Sequence, residues 1–501
     1  MNTVVNDLES HFRRISRISH AETFLAWDQL VMMPVSGGSR RSEAMAELAT
    51  LRHEWLTDSR LGDWLDEAEQ LSADADPAMR SSVREMRRVW REASCLTPEL
   101  VRAQVLATGR CERGWREQKP RDDWDGFAVN FREVVDLSRE EAAMRLDAAG
   151  GAIATGYEAM LDLHCHGESL PMVEQVFADL LAVLPDLLQQ VVESQQGNRA
   201  QLRGEFEPAR QQQLCGRLAS YLGFEVSQGR LDSSLHPFST GEAGDLRITT
   251  RYKRDDLLDA LLSTAHEIGH ARYEGGLPEQ LAGLPVGGSR NMSIHESQSL
   301  LFEKHLMQSL PFLNLFASDV EQEFPALVPL SGPDLWNSCH RVEPGFIRIE
   351  ADEICYPMHV ALRFEIERDL INGALTVDDV PERWNTSMQK NLGISPGKQH
   401  SLGCMQDIHW SEGAFGYFPA YTLGAVNAAQ LASSLREAHP QWQSHFAEGD
   451  LEFVFDWLQQ HIWSAASLQS SQELMQRVTG SATDASFLLE HLQARYVEER
   501  Y

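Results

Sequence analysis

Paired cysteines are missing from this 501-residue sequence: the seven present (Cys95, Cys111, Cys165, Cys215, Cys339, Cys355 and Cys404) are odd in number, scattered, and include no C-x-x-C. That argues against a disulfide framework and a cysteine-based zinc site, and points to a reducing compartment, the cytoplasm. Basic charge is also scarce. Lys and Arg total 44 against 74 Asp and Glu, a formal net charge of -30. A binder of polyphosphate needs a basic face to release counterions, so nucleic acid is not an expected partner. The same acidity makes anionic membrane surfaces unattractive, and no stretch approaches the ~20 apolar residues needed to span a bilayer. The most apolar segment, Val176–Leu184, reads as a short amphipathic helix. The N-terminal segment up to Leu25 has acidic residues early and no continuous apolar core, so it does not read as a secretory signal. Internal repeats and long low-complexity linkers are absent too.

What is present is an ordinary globular mixture, 43% hydrophobic and 24% charged, with enough chain for a sizeable core. From Leu8 to about Gln196 apolar residues recur at spacings of three and four, as in Ala44, Leu48, Leu51 and Trp55, which predicts helices. Breaks fall at Pro34–Gly38, Leu96–Pro98 and Gly150–Gly151. None is long enough to separate independent domains, so residues 1–501 read as one body, helical to about 230. Extended structure is predicted at Asp245–Tyr252, where branched residues follow the glycine-containing loop Thr240–Gly244. Asp255 and Asp256 then open a helix that Gly275–Gly276 stops.

That helix carries HEIGH, His266 to His270. An i, i+4 spacing stacks two imidazoles on one helix face, where both reach one ion. Twenty-five residues separate His270 from Glu296 in SIHESQS, room for a turn and a returning helix to bring a third ligand. A His-His-Glu set with one open position is the donor set of catalytic zinc. It suits cobalt as well. His295, about 100° around a helix from Glu296, is expected to pack or to support a ligand. Glu267, next to a ligand, is placed to act as general base toward the activated water and then as general acid toward the leaving amine. His164–Cys165–His166 is not a metal pair, since i and i+2 do not share a helix face.

With these residues in view, the chain resembles the carboxypeptidase Taq family of HEXXH metallopeptidases. Besides HEIGH and HESQ, it has His236–Pro237–Phe238, Asp245–Leu246–Arg247–Ile248–Thr249, Ile347–Arg348–Ile349–Glu350–Ala351–Asp352, and Gly403–Cys404–Met405–Gln406–Asp407–Ile408–His409–Trp410, in the family's order. Trp27–Asp28–Gln29 and Met32–Met33–Pro34 extend the likeness toward the N-terminus, while the motifs themselves lie within 236–421. Small departures, Ser239 after HPF and Glu412 after the His-Trp pair, sit beside the motifs and not at the four chemical residues. The resemblance implies a mainly α fold: a large helical body with a deep active-site groove and a small β-sheet beside the HEXXH helix, commonly paired as a homodimer. It implies metal ligands at His266, His270 and Glu296, a general base at Glu267, and removal of single residues from peptides with a free C-terminus, with broad specificity.

A carboxypeptidase must hold a terminal carboxylate, and a guanidinium fork matches it. Arg348 is the first choice and Arg247 the second; a structural ion pair at either would look the same in sequence. The oxyanion needs donors beyond the metal, and the glycine-rich stretch His409–Tyr421 offers them. His409 with Tyr417 is the favoured pair, with Tyr421 able to take the phenol's place. An endopeptidase, a dipeptide-releasing carboxypeptidase, or a catalytically silent peptide-binding protein are the alternatives these residues leave open.

Overall fold

The computed structural model describes residues 3–72, 76–195, 202 and 204–498. Helices dominate, and three short strands form one sheet. Helix starts follow ordinary capping chemistry: Asp76, Thr97, Asp123 and Asp256 each accept a backbone N–H from the first turn of the helix they open. The breaks expected from glycine and proline occur where the sequence places them. A short 3₁₀ turn occupies Val35–Gly37, one helix ends at Ser94 before the next begins at Pro98, and Gly150 and Gly151 both have positive φ.

One segment is longer than its sequence indicated. The apolar run around Val176–Leu184 belongs to a 25-residue helix, Leu170–Ser194, with Pro185 inside it. By length and composition this helix would pass as a membrane span, which corrects the expectation that no stretch comes near that limit. Its apolar face, including Val173, Phe177, Leu180, Leu184 and Val191, is buried in the largest core cluster, against the helices Cys355–Ile371 and Ala485–Tyr496.

The sheet has the order β1–β3–β2, with β1 (Gly229–Ser233) parallel to β3 (Asp245–Thr250) and β2 (Ser239–Glu242) antiparallel to it. β2 and β3 are joined by a two-residue turn whose second residue, Gly244, has φ +89°. β3 was legible from its branched residues. β1 (GRLDS) and β2 (STGE) carry no apolar alternation and are strands only because β3 offers them free edges. The HPF motif seals the sheet's end: the Phe238 N–H donates to Thr249 Oγ1, and the Thr249 N–H donates back to the Phe238 carbonyl. The sheet lies along the helix Leu257–Gly275, where Thr250 Oγ1 donates to the Ala260 carbonyl.

The buried apolar residues form three clusters. One contains the HEIGH helix through Ala265, Ile268 and Ala271. Another contains the helix Cys355–Ile371 and the Phe415–Leu423 stretch. A third joins the N-terminal helix Thr3–Val31 to its neighbours. The helix Met292–Leu300 bridges the first two, with Ile294 buried in one and Met292 packed on the other.

Candidate active site

His266 and His270 stand one turn apart on Leu257–Gly275, their ring centroids 4.9 Å apart and nearly perpendicular. Glu296 reaches them from the bridging helix, its Oε2 lying 3.9 Å from His266 Nε2 and 3.5 Å from His270 Nε2. The three ligand-type atoms all fall within 4.8 Å of one another. Two glycines set this approach. A Cβ at Gly269 would stand 2.5 Å from the Gln298 carbonyl oxygen, so the helices that carry His266 and Glu296 touch backbone to backbone. A Cβ at Gly424 would stand 2.6 Å from Glu296 Cβ, which lets the helix Pro419–Ala438 press the carboxylate toward the imidazoles.

Behind the cluster lies a residue that sequence inspection missed. The helix carrying Glu296 continues as a π-helical segment, Leu301–Met307, and Glu303, about two turns beyond Glu296, faces the same way. Its Oε2 pairs with His266 Nδ1 at 2.9 Å, while its Oε1 takes Lys304 Nζ at 2.6 Å. A carboxylate on Nδ1 fixes the tautomer that leaves Nε2 free toward Glu296. On the far side, His295 stacks on His270 at 4.4 Å and pairs with Glu274 at 2.9 Å, the packing role expected of it.

The electrostatics suit a cation. Burial opposes charge on His266, yet Glu296, Glu303 and Glu267 carry its pKa up to about 9. Burial and His295 push His270 down to about 4. Against burial, Lys304 and His266 hold Glu303 down to about 2. The field of three carboxylates that draws a proton onto His266 is the field a divalent ion would occupy. Glu267, only 7% exposed, is pushed up to about 7 chiefly by burial, and a nearby cation would bring it back down. A second His/Glu grouping, His305, Glu353 and His491, has a different character. Glu353 there is already paired within the protein, with the Arg495 guanidinium at 3.0 Å and with His491, which burial pushes down to about 4, at 2.9 Å.

Arg348 lies on the other flank, 4% exposed. Its Nε and Nη2 donate to Asp407 Oδ1, its Nη1 donates to the Tyr356 hydroxyl at 2.7 Å, and its guanidinium sits 5.0 Å over the Tyr421 ring. Arg363, another residue not singled out in the sequence, takes the second oxygen of Asp407 at 2.6 Å. The motif around Gly403–Trp410 thereby gains a physical meaning. Asp407 holds two arginines, and the Gln406 side chain accepts the Arg348 backbone N–H at 2.8 Å. A cavity of about 180 Å³ is lined by His266, Glu296, Glu303 and Lys304 and by Ile349, Ala351 and Tyr356, the last of which holds Arg348 Nη1.

His409 and Tyr417 lie together with Tyr421. His409 Nε2 is 3.4 Å from the Tyr421 hydroxyl, and the Tyr417 and Tyr421 rings are 5.3 Å apart. Burial pushes His409 down to about 4, leaving a neutral imidazole, and pushes Tyr417 up to about 12 with help from the nearby Glu296 charge. His164, expected to be inert, packs edge-on against Tyr417 at 5.0 Å. Arg247 stands apart from this group. It pairs with Asp245 at 2.9 Å and stacks on Trp27 and Phe24 of the N-terminal helix.

A helical body that presents two imidazoles and a carboxylate to one point, with a further buried glutamate beside them, has the makings of a metallopeptidase. The chain belongs to the carboxypeptidase Taq (M32) metallopeptidase family, whose model matches residues 7–496, and it is a metallocarboxypeptidase. It is 35% identical over 492 residues to thermostable carboxypeptidase 1 of Thermus thermophilus, covering 97% of this chain and 96% of that one. It is 32% identical to thermostable carboxypeptidase 1 of Pyrococcus furiosus over 505 residues, covering 100% and 99% of the two chains. Among solved structures, metallocarboxypeptidase 1 of Trypanosoma cruzi superposes with a TM-score of 0.96 at 34% identity, over 99% of both chains.

Proposed function

We propose that this enzyme releases single residues, with broad specificity, from peptides that have a free C-terminus, and that it does so with zinc held by His266, His270 and Glu296, cobalt being a workable substitute. The observation that carries this reading is the convergence of His266, His270 and Glu296 on one point, with a cavity lined by His266, Glu296 and Tyr356, whose hydroxyl Arg348 Nη1 holds. A bound divalent ion would supply a Lewis acid that lowers the pKa of water and polarises the scissile carbonyl. Glu267 takes the proton of the attacking water on its carboxylate and passes it to the departing amine. Tyr417 and the neutral His409 donate hydrogen bonds where the carbonyl oxygen gathers charge, with Tyr421 as the alternative phenol. The Nη1 edge of Arg348, together with the Tyr356 hydroxyl, receives the terminal carboxylate. Arg247, on β3 beside the HEIGH helix, is the second candidate for that contact.

Glu303 supports the metal through His266 in this scheme. Glu303→Ala should weaken metal affinity by about 10–100-fold, read by competition with a chromogenic chelator; affinity within about twofold of the parent would remove Glu303 from the scheme. The whole reading is tested with an unblocked peptide and its C-terminally amidated twin, each with and without chelator. Single residues should leave the unblocked peptide only, chelation should stop the release, and zinc or cobalt should restore it. Equal internal cleavage of both peptides would make the enzyme an endopeptidase, and dipeptide products a dipeptidyl carboxypeptidase.

The remaining proposals are coarser. Seven free cysteines among the described residues support a cytoplasmic location, and a net charge of -30 speaks against a nucleic-acid partner. The packing of one apolar face of Leu170–Ser194 into the core speaks against a membrane role for that helix. A single domain over 1–501 and a homodimer rest on the family likeness, the family model running from 7 to 496.

A further inference from the structure

The loop between His409 and Phe418 carries both favoured oxyanion donors, and what holds it is a carboxylate behind it. Glu367, on the helix Cys355–Ile371, is fully buried. Its Oε1 accepts the Trp410 indole N–H at 2.8 Å, and its Oε2 accepts the Gly416 backbone N–H at 3.0 Å and the Tyr157 hydroxyl at 3.1 Å. Trp410 directly follows His409, and Gly416 directly precedes Tyr417, so one carboxylate grips the loop next to each donor.

The rest of the packing is close on both sides of these bonds. Gly416 has φ +85°, and a Cβ there would stand 2.6 Å from the backbone of Met160 and Leu161. The Trp410 ring stacks on Phe131 and meets Trp384 edge-on, both at 5.9 Å between centroids. Burial pushes the Glu367 carboxyl up to about 7 even though Gly416, Trp410 and Tyr157 pull it down. A buried carboxylate is costly unless its lone pairs are met, and here three donors meet them.

We infer that Glu367 is a positioning residue for peptide hydrolysis, fixing His409 and Tyr417 through its bonds to Trp410 and Gly416 without touching substrate. The inference rests on the reading of His409 and Tyr417 as oxyanion donors. It also says why a carboxylate is needed. A glutamine has one acceptor oxygen, so its NH₂ must face either the indole N–H or the Gly416 N–H, and neither donor can turn away. The Tyr157 hydroxyl can rotate, so it sets no such demand.

The test is steady-state kinetics on metal-loaded full-length protein, with metal content and thermal unfolding measured alongside. Glu367→Gln should lower kcat by roughly 10- to 100-fold, with KM and bound metal within about twofold. Adding Trp410→Phe removes the donor that the amide would confront, so the double variant should recover toward the Trp410→Phe single variant. In a Tyr417→Phe background the Glu367→Gln loss should shrink several-fold, because the two act as one unit. Tyr157→Phe leaves both loop contacts in place and should keep kcat within about twofold. Full activity of Glu367→Gln, an undiminished loss in the Tyr417→Phe background, or a large kcat loss in Tyr157→Phe would each overturn the inference. If Glu367→Gln fails to fold, the double variant carries the comparison, and a kcat far below that of Trp410→Phe overturns it equally. Full activity of both Tyr417→Phe and His409→Ala would instead overturn the oxyanion reading, whatever Glu367 does.

Discussion

Glu267→Gln is expected to keep its metal and lose turnover by about 10²- to 10⁴-fold. The substitution preserves size in a position that is 7% exposed, so neither the HEIGH helix nor the approach of Glu296 at 3.5–3.9 Å should change. What disappears is the ability to take a proton from water and return it to the amine. The loss should therefore fall on kcat, with KM changed by no more than about threefold. Metal content measured on the same preparation separates this from ligand loss. A metal-loaded Glu267→Gln enzyme with near-parental kcat would mean that another group is the base.

Arg348→Ala should have the next largest effect, and it should appear in two measurements. Losing a buried charge-assisted contact to the terminal carboxylate costs about 2–5 kcal/mol of binding, or roughly 30- to several-thousand-fold in kcat/KM. The preference for a free over an amidated C-terminus should fall with it. Stability should drop as well, because Asp407 loses one of its two arginines. Arg363 still satisfies the second oxygen at 2.6 Å, so the unfolding free energy should fall by less than the ~3–5 kcal/mol of a fully orphaned buried charge. Arg348→Lys keeps the charge without the fork and should lie between parent and alanine. If Arg348→Ala leaves the carboxylate preference intact, Arg247 is the next residue to change.

The proposed metal half of the site was the most legible part of the sequence. HEIGH announces itself because one helical turn suffices to bring both imidazoles together, and Asp256 and Gly275–Gly276 mark that helix's ends. Glu296 needed the HESQ motif. Glu303 gave no such signal, since it supports His266 from a π-helical segment that its residue types do not announce. Arg363 and Glu367 were equally silent. Each reads as one more polar residue on an ordinary helix, and becomes specific only when Asp407 or the Trp410–Gly416 loop arrives from elsewhere in the chain. The two outer strands were missed for a related reason, a strand's identity being set largely by its neighbour's edge.

Local pattern therefore determined the mainly helical character, the HEIGH helix, the strand at Asp245–Thr250 and the donor types available to a metal. Those depend on periodicity and capping over a few turns. Tertiary structure decided where the two halves of the site meet. The HEIGH helix belongs to one core cluster, and the Arg348-supporting helix and Tyr421 pack with another. Gly269 and Gly424 let the Glu296 helix close between them. No local pattern encodes that junction, because it depends on backbones far apart in sequence approaching closely enough to leave no room for a Cβ.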